Sequence, residues 1–181
     1  MPRQVKHCLA LALIAAVAGG CGTSTAANDN AAEPAAVLFP LTGRVVDRAD
    51  LISPETERAL SQRLADLEAA TTDQLVIATT ESLDGRPIEE VGLALGRGWG
   101  IGQRGKNNGV ILLVAPNERK VRIEVGYGLE ATLSNELCAQ IIADDILPRF
   151  RNGRMEAGIV AGADALIARL HRSAARPRAA A

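Results

Sequence analysis

Residues 100–107, GIGQRGKN, satisfy two phosphate-binding spacings at once. Gly100, Gly102 and Gly105 fit G-x-G-x-x-G, and Gly100 to Lys106 fit G-x-x-x-x-G-K, with Asn107 where a P-loop carries Ser or Thr. Such a loop holds phosphate only where it leaves a strand and opens a helix, whose free N–H groups cradle the anion. The surrounding sequence predicts the reverse order, helix then loop then strand, so no nucleotide is expected. Other chemistry is narrowed by missing residue types. Of two histidines, His7 lies in an export signal and His171 in the C-terminal tail; of three cysteines, only Cys138 falls inside the expected domain. This removes a Ser-His-Asp triad, a disulfide framework and a His/Cys zinc site, leaving oxygen-ligand sites suited to Ca²⁺ or Mg²⁺. Cys138 is also no Cys-x5-Arg nucleophile, because Asp144 stands at the arginine position.

The elements that must position such ligands are read from periodicity. Ser53 and Pro54 open a helix with Leu60, Leu64 and Leu67 at helical spacing. Residues 74–80 read as a strand, Asp84-Gly85 as a turn, and a helix starts at about Ile88. Residues 109–116 are almost wholly apolar, as in a strand buried on both faces, and the alternating residues 120–128 return as its hairpin partner. A helix capped by Ser134 is expected to end near Pro148, and another covers 155–170. The fold class is α/β, a three-layer αβα sandwich with a small mixed sheet flanked by helices. With 74–80 and 109–116 parallel and 120–128 antiparallel, Asn107, Asn108 and Gly109 come to lie beside Gly126, Tyr127, Gly128 and Glu130 at one sheet edge. Amide oxygens, a carboxylate and glycine-exposed carbonyls form a ligand set for a hard cation; an ordinary turn cluster would contain the same residues.

The first 20 residues read as a signal peptide of lipoprotein type: Arg3 and Lys6, then an apolar run over 8–20 about half as long as a membrane span, then Cys21 after a small residue. Ala18 departs from the Leu such cleavage sites prefer. Lipidation of Cys21 would anchor the protein to a membrane, and Gly22 in place of Asp favours the outer one, with the chain facing the periplasm. Residues 21–40 read as a disordered tether, 41–172 as the domain and 173–181 as a flexible tail. Of 20 Lys and Arg, Arg3 and Lys6 leave with the signal, so 18 face 21 Asp and Glu; with 2% aromatic residues this argues against nucleic acid.

The strings VVDRADLIS, WGIG, NNGVILLVA, ERKVRIEVGYGLE and ILPRFRNG resemble the TPM domain family, which includes a thylakoid acid phosphatase and many bacterial exported proteins. The resemblance spans residues 41–170 and implies an αβα sandwich and, in some members, Ca²⁺ binding and weak phosphatase activity. Carried over by motif, it implies Asp47, Asn107, Asn108, Glu130 and Asp145 as site residues, with Asp144 as the adjacent candidate. A cation, Ca²⁺ before Mg²⁺, would join Asn107 or Asn108 and Glu130 to an acid such as Asp47. Two functions follow: a cation-stabilised binding or accessory module for an envelope or membrane-protein complex, or a metal-dependent phosphatase with Asp47 and Asp145 as ligands or base and Arg119 or Arg122 as phosphate clamp.

Overall fold

Three parallel strands, β1 (Val45–Asp47), β2 (Gln74–Thr79) and β3 (Gly109–Ala115), and the antiparallel β4 (Lys120–Val125) form one sheet in the order β1-β2-β3-β4. The structure is a computed structural model and describes residues 38–175. The signal peptide, Cys21, almost all of the tether and the end of the tail lie outside the described residues. β3 is buried along its whole length, which explains its unbroken apolar sequence.

Helix α1 (Pro54–Thr71) starts as expected, with Ser53 Oγ accepting the Thr56 N–H and Pro54 in the first turn. It buries Leu60, Leu64 and Leu67 against Leu75, Ile77 and Leu112 on one sheet face, together with α5 (Met155–Ala174). Each of these leucines contributes about 1.5–3 kcal/mol by leaving water. Helix α2 (Ile88–Trp99) covers the opposite face, packing Ile88, Val91 and Leu95 on Ala78, Ile111 and Leu113. The strand order advances in one direction while α1 and α2 occupy opposite faces. One of the two strand–helix–strand crossovers is therefore left-handed, against the usual preference.

The structure departs from the sequence reading at three places. The domain begins before residue 41: Phe39 is only 7% exposed, its carbonyl accepts the Trp99 indole N–H at 2.8 Å, and its ring meets that of Trp99 edge-on at 5.4 Å. Pro148 does not end the helix that Ser134 caps. Helix α3 (Asn135–Gln140) passes into a π-helical stretch (Ile141–Ile146) and then α4 (Leu147–Arg151), with the Leu147 N–H reaching back to Ile142 O. The wider turn supplies a fresh start in which proline's missing N–H is harmless. Gly158 and Gly162 of α5 make room for this insertion, since a Cβ on them would come within 2.5 Å of the Phe150 ring and 2.6 Å of Ile146. Finally, α5 runs to Ala174, so His171 belongs to its last turn, exposed, and not to a tail. No helix among the described residues is long and apolar enough to cross a membrane.

Candidate functional site

At the edge where β2 and β3 begin and β4 ends, the expected juxtaposition is present, and backbone packing explains its glycines. The Gly126 N–H donates to Gly109 O at 2.8 Å and the Gly128 N–H to Asn107 O at 3.1 Å. A Cβ on Gly126 would sit 2.2 Å from Asn107 O, and one on Gly128 only 1.9 Å from Lys106 O. Gly102 and Gly109 interlock in the same way, with a Cβ on Gly109 falling 2.5 Å from Ile101 O. The GIGQRGKN loop follows α2 and leads into β3, the helix-to-strand order expected from the sequence.

Asn108 is the keystone of this edge. Only 2% exposed, it donates from Nδ2 to Thr72 O at 2.7 Å and Asp73 Oδ1 at 3.2 Å, while its Oδ1 accepts the Gln103 N–H at 2.8 Å. Gln74 extends the network, accepting the Gly102 N–H at 2.6 Å and donating to Glu68 at 2.9 Å. Asn107 is exposed in a left-handed conformation, φ 49°, and Glu130 is exposed beyond the 3-10 turn Tyr127–Leu129.

Beside this edge lies a groove of about 880 Å³. The C-terminal half of α2 forms one wall through Leu93 and Arg97, residues 133–136 form the other, and β4 from Arg122 to Val125 forms the floor. Tyr127, 79% exposed, and Leu93, 40% exposed, offer apolar surface to solvent. Charges balance along it: Arg97, Arg104 and Arg122 against Glu124, Glu130 and Glu136, with Arg122 and Glu124 paired at 3.0 Å.

Asp47 does not belong to this edge, a correction to the single cation site expected from the sequence. It ends β1 in register with Thr79, which is in register with Val114, so it lies at the opposite end of the parallel strands, displaced roughly 16 Å along them from Gly109 at 3.3 Å per residue. Its carboxylate is already engaged: Oδ2 accepts the Ile52 N–H at 2.8 Å and Oδ1 the Thr79 hydroxyl, which fixes the turn into α1. Glu57 is a charged neighbour, and desolvation first, then the charges of Asp47 and Asp50, raise the Glu57 carboxyl above its usual range. Asp144 is exposed and Asp145 half-buried in the π-helical stretch, where the Asp145 carbonyl accepts from Arg149 at 2.6 Å. Among the described residues no three His, Cys, Asp or Glu side chains converge to hold a metal ion. The oxygens at hand do not fit one: those of Asn108 and Asp47 are bound within the protein, and Asn107 and Glu130 stand apart from any further carboxylate cluster. Arg122, on β4, is three strand spacings from Asp47, about 14 Å, and Arg119, in the β3–β4 turn, is no nearer than about 10 Å. Cys138 is buried, and burial pushes its thiol up, away from nucleophilic use.

Comparison with known proteins places this architecture. The model of the TPM domain matches residues 45–169. The chain belongs to the TPM domain family. No curated protein matches it. Among solved structures, the N-terminal domain of a protein from P. gingivalis is similar, with a TM-score of 0.70 and 33% identity over 77% of this chain and 89% of that one. The N-terminal domain of the cg2496 protein from Corynebacterium glutamicum is 16% identical, TM-score 0.56, over 80% and 89% of the two chains. The BA42 protein from the psychrophilic bacterium Bizionia argentinensis is 17% identical, TM-score 0.59, over 68% and 84%. These last two likenesses concern the fold alone.

Sequence reasoning placed Asn107, Tyr127 and Glu130 at this edge of the TPM domain but missed Leu93 and Arg97, the α2 wall that makes it a groove. The available signal was the wide apolar arc of α2, broader than the buried stripe of Ile88, Val91 and Leu95 needs.

Proposed function

We propose that the protein is an exported accessory module, anchored by lipid on Cys21 and facing the periplasm from the outer membrane, whose TPM domain docks an envelope or membrane-protein complex. The observation that carries this reading is the groove between α2, β4 and residues 133–136, with Leu93 and Tyr127 exposed on a rigid glycine-locked frame. Exposed apolar and aromatic side chains set among balanced charges are features of protein-binding surfaces. Calcium is not required for this reading, because the Gly126 and Gly128 N–H groups already tie the loop leading to Glu130 to Gly109 and Asn107. The phosphatase alternative needs Asp47 and an arginine clamp at one phosphorus, and Arg122 lies three strand spacings from Asp47.

The test uses intact cells carrying a photo-crosslinking residue in place of Leu93 or, as control, of Glu55 on the exposed first turn of α1. The expected result is one adduct, identifiable by mass spectrometry, from Leu93 alone and lost on Arg97→Glu. Equal adducts from both positions, or none, would remove the docking surface. The anchor is tested separately: Cys21→Ser should move the protein from the membrane to the soluble periplasmic fraction, because a lipid-free tether has too little apolar area to hold it. Unchanged membrane recovery would refute the anchor.

A further inference from the structure

The floor of the groove is the outer edge of a sheet. Because the Gly126 N–H bonds Gly109 O and residues 122 and 124 register with 113 and 111, antiparallel alternation turns the N–H and C=O groups of Arg122 and Glu124 toward β3. Those of Val121, Ile123 and Val125 point the other way, the last two into the groove, and no strand among the described residues pairs with them. β4 has six residues with no proline or bulge, and its charged side chains, Lys120, Arg122 and Glu124, alternate with Val121, Ile123 and Val125.

Resting on the docking role above, we infer that the groove's occupant is an extended peptide segment of the partner, which adds to β4 as a fifth, antiparallel strand. Helix α2 lies over β3 and β4, its buried residues on Ile111 and Leu113 and a Cβ on Gly92 falling 3.5 Å from Glu124 Oε2. A second copy pairing β4 with β4 is the competing occupant, and the test below separates the two.

The edge also specifies the segment's sequence. Residues opposite Val121, Ile123 and Val125 share their apolar face, and the two between them lie opposite Arg122 and Glu124. Charge complementarity asks for an acid opposite Arg122 and a base opposite Glu124. Read in the direction of the added strand the pattern is apolar, basic, apolar, acidic, apolar. Residues 121–125 of this chain, VRIEV, happen to spell it, so a peptide of residues 120–126, KVRIEVG, is a ready probe.

The experiment titrates the full chain in detergent micelles with labelled KVRIEVG, reading anisotropy and amide hydrogen exchange. Strand addition requires saturable binding, with exchange slowed at Val121, Ile123 and Val125. Peptide N-methylated at its two valines and isoleucine should bind roughly fivefold more weakly for each bond removed, whereas methylation at its Arg and Glu, which face away, should leave binding within about twofold. Equal effects of the two methylation patterns, or binding without slowed exchange, would overturn strand addition. So would dimerisation of the full chain that slows the same amides, since the occupant would then be a second copy. If no peptide binds while the Leu93 crosslink persists, the docking surface stands and strand addition falls; if that crosslink is absent too, both fall.

Discussion

Replacing Asn108 by Asp separates the two roles that its place in the chain allows, cation ligand and structural amide. The new carboxylate would keep an acceptor for the Gln103 N–H but lose both donations from Nδ2, leaving Thr72 O and Asp73 Oδ1 facing an anion at 2.7 and 3.2 Å. At a position 2% exposed, losing the donation to Thr72 O costs about 1–3 kcal/mol, and two carboxylates in contact, the new one and that of Asp73, cost a similar amount by like-charge repulsion. The two together come to about 4 kcal/mol. A domain of this size loses about 4 °C per kcal/mol, so the melting temperature should fall by roughly 10–20 °C. The assay is thermal unfolding followed by circular dichroism, with and without millimolar CaCl₂. Were Asn108 a ligand, Asp at this position would add ligand charge, and calcium would stabilise the variant more than the wild type. Calcium rescue of Asn108→Asp, or a variant as stable as wild type, would refute the structural role; an unrescued loss is expected.

Gly128→Ala should cost about 3 kcal/mol or more, because its Cβ would fall 1.9 Å from a backbone oxygen that cannot swing aside. Gly153→Ala, at φ 72° in open space, should cost only about 1–2 kcal/mol of left-handed strain; equal losses in urea unfolding would deny that close backbone contact sets the first. Glu57→Gln should raise the melting temperature at about pH 7 and not at about pH 3. Its carboxyl is raised in the folded state by desolvation and by Asp47 and Asp50, so its charge opposes folding only as pH climbs through the folded value, and a gain confined to acid would contradict the sign.

Elements whose burial is uniform were legible in the sequence. β3 reads as a continuous apolar run because both its faces are covered, and Ser53 and Ser134 announce helices because an orphan N–H at N3 needs an acceptor close by. β1 was not, since three residues are too short to show a period and only pairing with β2 makes them a strand. Phe39 looked like the end of a tether because its partners, Trp99 and Arg48, come from distant segments. Pro148 misled for a different reason: a local rule ends helices at proline, yet the π-helical stretch before it removes the bond that proline would break.

The candidate site was legible as a place and not as a chemistry. Topology brings Asn107, Asn108 and Glu130 to one edge, but residue type leaves open whether an amide oxygen turns toward solvent or toward a neighbouring N–H. Burial decides it for Asn108, whose oxygen satisfies Gln103. The glycines share this ambiguity. Phosphate loops use glycine so that backbone can approach an anion, and here Gly102, Gly109, Gly126 and Gly128 let backbone approach backbone, each admitting a carbonyl or amide where a Cβ would overlap. Such contacts would recur in any chain that keeps this edge closed, whatever it binds, so the glycine spacing reports the frame and is silent about the ligand. Information about the partner must instead reside in positions that the frame leaves free to vary, such as Leu93, Arg97 and Tyr127 along the groove. Substitutions there should alter docking at constant stability, while those at the glycines should alter stability first.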